Sequence, residues 1–226
     1  MIFWSPVFFI LPREDCWKIA KMWAFSHLWF HNRIVGTRFD FRGTENIPQD
    51  SKGLIVASKH QSAWETYTLI LFFSDAAYVL KRELTYIPLF GWLMAKMKVV
   101  PIDRGRGREA LAKLAVHARQ AYGDGRQIII YPEGTRKAPG AEPAYKFGVS
   151  YLYDKLGARV LPVALNAGLF WRRNSFMREP GTIILEFLPV IPAGINRDEF
   201  AEQLKEAIES KSDDLIGTAR PESINP

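Results

Sequence analysis

From residue 53 onward, short apolar runs alternate with stretches of helical period, and this alternation constrains the fold more than any other feature of the chain. Leu54-Ile55-Val56-Ala57 reads as a buried strand and residues 64–73 as a helix. Tyr78-Val79-Leu80 is a second strand, followed by a Pro88-containing helical stretch to Met97, and Val99-Val100-Pro101-Ile102 is a third. Residues 109–122 put Leu111, Leu114, Ala115 and Ala118 on one helical face. Gln127-Ile128-Ile129-Ile130-Tyr131 is the clearest strand, β-branched and bounded by Gly125 and Pro132. A helix over 147–156, the apolar run 160–165 and a late strand over 183–187 follow. Asn196, with Glu199 three residues later, opens a last helix in the manner of a capping box, and the tail after Gly217 has no periodicity. Strands interleaved with helices bury both faces of a sheet. The expected class is therefore α/β, a mostly parallel central sheet with helices on both faces.

A chain of 226 residues can bury one such core without covalent staples, and 48% hydrophobic residues place it far from disorder. Cys16 is the only cysteine, which excludes a disulfide framework, an iron–sulfur centre or a zinc ribbon within one chain. The net charge is +6, and much of it is local: Lys81, Arg82, Lys96, Lys98, Arg104, Arg106 and Arg108 face only Glu83 and Asp103 in the same stretch. Clustered cations suit a phosphate-bearing partner. Nucleic acid is not the expected one, since neither a reading helix nor an aromatic platform is identifiable.

The N-terminus is greasy. Residues 1–11 are apolar apart from Ser5 and Pro6, too few to span a bilayer core, which needs about 20 helical residues. They carry neither a basic start nor a cleavage site, so a signal peptide is not expected. Residues 16–34 read as a helix rich in Trp17, Trp23, Phe25, Trp29 and Phe30, with Lys18, Lys21, Asn32 and Arg33 in one sector. Aromatic rings beside long cationic side chains suit a helix lying at a membrane interface. His27 and His31 have the spacing of a metal pair but no carboxylate between them and no third ligand nearby, so no metal is expected.

Three constellations fall at strand ends, where open α/β sheets place ligands. In Lys59-His60-Gln61-Ser62-Ala63-Trp64-Glu65, a histidine near a carboxylate can act as a general base. Five residues on an ideal helix put side chains about 140° apart, so the pair meets only if His60 lies in the turn before the helix and Glu65 in its first turn. Ile102-Asp103-Arg104-Gly105-Arg106-Gly107-Arg108 formally matches a dinucleotide fingerprint through Gly105, Gly107 and Ala110. Its three arginines argue instead for an oxyanion or phosphate site. Tyr131-Pro132-Glu133-Gly134-Thr135-Arg136 follows the strongest strand and presents Glu133 and Arg136 at the sheet edge.

These three blocks, with Leu161-Pro162-Val163-Ala164 as a fourth, occur in the order and spacing that characterise the glycerolipid acyltransferases. Over roughly residues 40–190 the chain resembles, more closely, the bacterial 1-acylglycerol-3-phosphate acyltransferases. The resemblance implies transfer of an acyl group from acyl-CoA or acyl-carrier protein to the sn-2 hydroxyl of lysophosphatidate. It implies His60 and Glu65 as the catalytic pair, and Arg104, Glu133, Gly134, Thr135 and Arg136 at the glycerol phosphate. Lys81 is a further phosphate partner. No cofactor is implied, because a thioester is already activated. Another lyso-lipid acceptor, such as a lyso-ornithine lipid, and a non-catalytic lipid-binding role are the alternatives. One departure stands out: the family usually carries Asp where this chain has Glu65. The expected division is a membrane-docking segment over 1–35, an acyltransferase domain over 36–218 and a loose tail over 219–226. The expected setting is the cytoplasmic face of the inner membrane, with the chain peripheral or held by its N-terminal segment.

Overall fold

A computed structural model of the chain describes residues 5–103, 105 and 107–219. Among them, seven strands form one sheet: β1 (Thr37–Arg42), β2 (Ile55–Ser58), β3 (Ala76–Lys81), β4 (Val100–Ile102), β5 (Gln127–Ile130), β6 (Val160–Leu165) and β7 (Gly181–Phe187). Their order is β1-β7-β6-β2-β5-β3-β4, and every ladder is parallel except β6 with β7. The helices are α1 (Ser5–Ile10), α2 (Arg13–Phe30), α3 (Trp64–Thr68), α4 (Phe90–Lys96), α5 (Gly107–Gly123), α6 (Gly148–Leu156) and α7 (Arg197–Ala219). The mostly parallel sheet with helices on both faces is thus the observed architecture.

The sequence runs explain the layers. β2, β5 and β6 lie in the middle of the sheet and every one of their residues is buried, which only strands covered on both faces require. Val56 and Ile129 pack towards α2 and α3, whereas Ile55 and Ile128 pack towards α5, α6 and α7. The chain leaves β2 into α3 on one face and leaves the adjacent β5 towards α6 on the other. A crevice opens between two strands whose connections diverge in this way.

Several elements differ from the expectation. The helix after β2 keeps α-helical bonding only to Thr68 and tightens to a 3₁₀ turn at Leu69–Leu71. Thr66 and Thr68 donate their hydroxyls back to the carbonyls of Ala63 and Trp64, a bond that competes with the helix ladder. At the start of α7, Asn196 Oδ1 accepts the N–H of Asp198 at 2.9 Å, while Glu199 takes Gln203 instead of closing a capping box. The last helix also outlasts Gly217 and runs to Ala219, with Leu215 and Ile216 buried. The strand β1 was announced by no apolar run, because it is an edge strand with one fully buried residue, Thr37.

The N-terminal helix does not stand apart from the core. Cys16, Trp17, Ala20, Ala24 and Leu28 of α2 are buried in the same cluster as the sheet, and a π-helical turn at His31–Val35 leads into β1. Its opposite side leaves Met22, Phe25, Trp29 and Phe30 exposed. Asp75 fastens α2 to the sheet: its Oδ1 accepts Arg13 Nη1 at 2.6 Å, Trp17 Nε1 at 2.9 Å and Arg126 Nε at 3.0 Å. Arg126 is buried and spends its other N–H groups on the carbonyls of Ala76, Met97 and Lys98. Removing one member of a buried ion pair costs about 3–5 kcal/mol, and Asp75 keeps part of its surface in water, so Asp75→Ala is expected to destabilise by about 2–3 kcal/mol. At about 2–4 °C per kcal/mol for a chain of this size, thermal melting should show a drop of about 4–12 °C.

Candidate active site

His60 sits in the open turn after β2, and Glu65 is the second residue of α3. The two meet as their spacing requires, with His60 Nδ1 and Glu65 Oε1 2.8 Å apart. The same oxygen accepts the backbone N–H groups of Gln61 at 2.9 Å and Ser62 at 2.8 Å. A carboxylate so surrounded is an acceptor, so Nδ1 carries the proton and Nε2 presents its lone pair. Glu65 is fully buried, whereas His60 keeps 15% of its side chain open to solvent. The ring of Tyr131 stacks on the imidazole, with centroids 4.0 Å apart and planes 21° apart. Gln61 Oε1 accepts the N–H of Gly168 at 3.0 Å, and a side chain at Gly168 would collide with Gln61 and Pro139, so this turn packs tightly on the one after β6.

After β5 the backbone turns sharply. Gly134 adopts φ +67°, a left-handed conformation that favours glycine, and its N–H returns to the Tyr131 carbonyl at 2.9 Å. The Lys137 N–H donates to the His60 carbonyl at 2.8 Å, which ties this turn to the one that bears the histidine. Glu133 lies differently from its expected place at a headgroup. Its carboxylate turns away from the cavity and accepts Lys59 Nζ at 3.1 Å. Burial pushes the Glu133 carboxyl above the usual carboxylate range, with Lys59 opposing that shift.

A single cavity of about 1130 Å³ gathers most of the other residues. His60, Lys81, Gly134, Thr135 and Arg136 all line it, together with Lys146 and Arg173. Lys81, the last residue of β3, is half exposed and pairs with Glu83 at 3.2 Å. Arg173 Nη1 donates to the Arg136 backbone carbonyl at 3.2 Å, which ties Arg173 to the turn after β5. Away from these cations the wall is apolar and runs past Trp17, Ile70, Leu93, Met94 and Met97, between the N-terminal helices and the sheet. Tyr67, Tyr78 and Tyr131 also line it, and burial pushes all three phenols up, so they stay neutral. Arg104, expected at the phosphate, lies outside the described residues. His27 and His31 lie against aromatic rings, Trp23 and Tyr67 for the first and Trp171 for the second.

The family model "Acyltransferase" matches residues 38–166, a span that holds His60, Glu65, Lys81 and the turn from Glu133 to Arg136. The chain belongs to the acyltransferase family. It is 38% identical over 185 residues to a 1-acyl-sn-glycerol-3-phosphate acyltransferase of Pseudomonas aeruginosa, covering 81% of this chain and 71% of that one. It is 30% identical over 147 residues to a chloroplastic 1-acyl-sn-glycerol-3-phosphate acyltransferase of Arabidopsis thaliana, covering 65% of this chain and 40% of that one. Among solved structures, the lysophosphatidate acyltransferase PlsC of Thermotoga maritima matches with a TM-score of 0.73 at 22% identity, over 90% of this chain and 81% of that one. At that identity the likeness is one of fold.

Two cations of this acyltransferase were missed by sequence reasoning. Lys146 enters the cavity from the segment before α6, where its backbone N–H holds the Pro132 carbonyl at 2.8 Å. Arg173 comes from the irregular stretch between β6 and β7, outside the family-matched residues. The Arg172-Arg173 doublet was the available signal, but a doublet in a segment without periodicity does not distinguish a site from a solvated surface.

Proposed function

We propose that this chain transfers the acyl group of acyl-CoA or acyl-carrier protein to the sn-2 hydroxyl of 1-acylglycerol-3-phosphate, giving phosphatidate. One observation carries this above all: a carboxylate-steered imidazole shares a cavity with several cations and a long apolar wall. As the sn-2 oxygen attacks the thioester carbonyl carbon, His60 Nε2 takes its proton and the carbonyl electrons move onto oxygen. When the tetrahedral centre collapses, the C–S bond breaks and the departing thiolate takes the proton back from the imidazolium. Glu65 keeps the ring in the productive tautomer and stabilises its charged form. Arg136, with Arg173, Lys81 and Lys146, holds the acceptor phosphate, and by family resemblance Arg104 joins them. The apolar wall takes an acyl chain. No metal or cofactor enters these steps.

The chain works on a lipid leaflet in this reading, at the cytoplasmic face where its thioester donors are dissolved. Extracting a lipid tail into water costs about 0.8 kcal/mol per CH₂, so an enzyme seated on the leaflet needs to lift only the headgroup. Among the described residues no helix is long and apolar enough to cross a membrane. The support for docking is the exposed apolar side of α2, with Ile34 exposed just beyond it, and the exposed rings of Phe9 on α1 and Trp92 on α4, which meet edge to face.

The test is thiol release with a panel of lyso-lipid acceptors presented in liposomes. Lysophosphatidate should be the best acceptor. Charged hydrogen bonds contribute about 1.5–3 kcal/mol, so Arg136→Ala should raise the lysophosphatidate KM by about 10–100-fold and Arg173→Ala by somewhat less, with kcat little changed. Turnover of an uncharged or zwitterionic acceptor in preference would assign the site to another lyso-lipid. Binding without any turnover would leave a lipid-binding domain.

A further inference from the structure

Lys59 precedes His60 but points to the opposite side of the sheet, and it is 3% exposed. Its backbone N–H still belongs to the ladder, donating to the Val163 carbonyl at 2.9 Å. Its ammonium has three N–H bonds and three partners: Glu133 Oε1 at 3.1 Å, Glu209 Oε1 at 2.9 Å and Glu209 Oε2 at 2.6 Å. Glu209 Oε1 also accepts the hydroxyl of Tyr145 at 2.9 Å. One carboxylate therefore reaches three segments of the cavity wall: the His60 turn through Lys59, the Glu133–Arg136 turn through the same ammonium, and the stretch leading to Lys146 through Tyr145.

Glu209 lies on α7, beyond the residues that the family model matches. The six other acidic residues of that helix (Asp198, Glu199, Glu202, Glu206, Asp213 and Asp214) are exposed, whereas Glu209 turns inward to the sheet edge. A buried cluster of one ammonium and two carboxylates is a poor way to gain stability, since apolar residues of the same volume often serve better. Its geometric effect is clear: it ties the strand ends together beneath the turns that carry the imidazole and the guanidinium. We propose that Glu209 is a positioning residue of the acyl-transfer site, acting through Lys59 and Tyr145 to hold His60 and Arg136 in register with each other. This rests on the acyl-transfer function proposed above.

The experiment compares Glu209→Ala, Glu209→Gln, Lys59→Met and the double variant Lys59→Met/Glu209→Ala in full-length protein. Displacing reacting groups by about 1 Å can cost about 100-fold, so Glu209→Ala should lower kcat/KM for the acceptor by about 10–100-fold, with the donor KM unchanged. Glu209→Gln, which keeps a neutral acceptor for both donors, should recover most of that loss. The double variant should lose no more than the worse single variant, because the residues act as one unit. The chain has four histidines, so ring ¹H–¹⁵N spectra supply a readout free of turnover. In Glu209→Ala the His60 signals should shift and broaden while those of His27 and His117 hold still.

Unchanged kinetics or an unchanged His60 signal in folded Glu209→Ala would overturn the proposal, as would losses that multiply in the double variant. Should Glu209→Ala fail to fold, Lys59→Met and Tyr145→Phe, which each remove one of the links through Glu209, are judged by the same signals. A wild-type chain inactive on every lyso-lipid would sink the acyl-transfer function while leaving the spectral test of Glu209 intact.

Discussion

His60→Ala is expected to lower acyl transfer by about 10²–10⁴-fold, the range that a positioned general base supplies, without unfolding the chain. The imidazole has one nitrogen committed to Glu65 and lies at the wall of the cavity with part of its surface in solvent. Truncating it enlarges a space that is already open and leaves no hole in the core, so the stability loss should be small beside the catalytic one. Side chains that could open a covalent route instead, Cys16 and Ser62, are poorly placed to act as nucleophiles. Cys16 is buried in α2, its thiol directed to the Phe8 carbonyl at 3.2 Å, and burial pushes its pKa up, away from the reactive thiolate. Ser62 Oγ accepts the Trp64 N–H at 3.3 Å and serves the start of α3. Thiol release from acyl-CoA in the presence of lysophosphatidate measures the effect, with thermal melting as the control for folding. Wild-type turnover by a folded His60→Ala protein would mean that the base lies elsewhere.

How much of this was legible beforehand depended on whether a residue's environment leaves a local trace. β2, β5 and β6 were legible because a strand covered on both faces must be apolar throughout. The reversal at β7 was not, since an apolar run carries no information about strand direction. The pairing of His60 with Glu65 was legible because both lie within one turn and the geometry permits a single arrangement. The Lys59–Glu133 bond joins residues 74 positions apart, and nothing local in either segment announces the pairing.

The basic stretch from Lys81 to Arg108 shows the same limit from the other side. Within it, Lys81 pairs with Glu83, Arg82 reaches Asp103 at 3.4 Å, and Lys96 Nζ donates to the Phe9 carbonyl. Of the described cations in that stretch, Lys81 alone lines the cavity, and the others there are Arg136, Lys146 and Arg173. Local charge density does not say which cations meet at the cavity, because topology rather than sequence proximity gathers them.

The second large effect is expected at Glu65, where this chain departs from the family's usual aspartate. Glu65 Oε1 holds three N–H groups at once, and its side chain is fully buried and absent from the cavity wall. Glu65→Gln preserves the shape and leaves an oxygen for the two backbone donors. It removes the charge that stabilises the imidazolium, so kcat should fall by about 10²–10⁴-fold. Glu65→Asp restores the family's residue yet shortens the side chain by one C–C bond, about 1.5 Å. If it stays bonded to the Gln61 and Ser62 N–H groups it releases the imidazole, and if it follows the imidazole it strands two buried donors at about 1–3 kcal/mol each. The first course is favoured, because those two donors are fixed by the helix start while the ring can rotate. Glu65→Asp should accordingly keep its fold and lose about 10–100-fold in kcat, with the acceptor KM nearly unchanged because Glu65 does not touch the headgroup wall. A fully active Glu65→Asp protein would show that the turn between His60 and α3 closes up around the shorter acid. A loss carried mainly in KM would move Glu65 from steering the base to shaping the acceptor site.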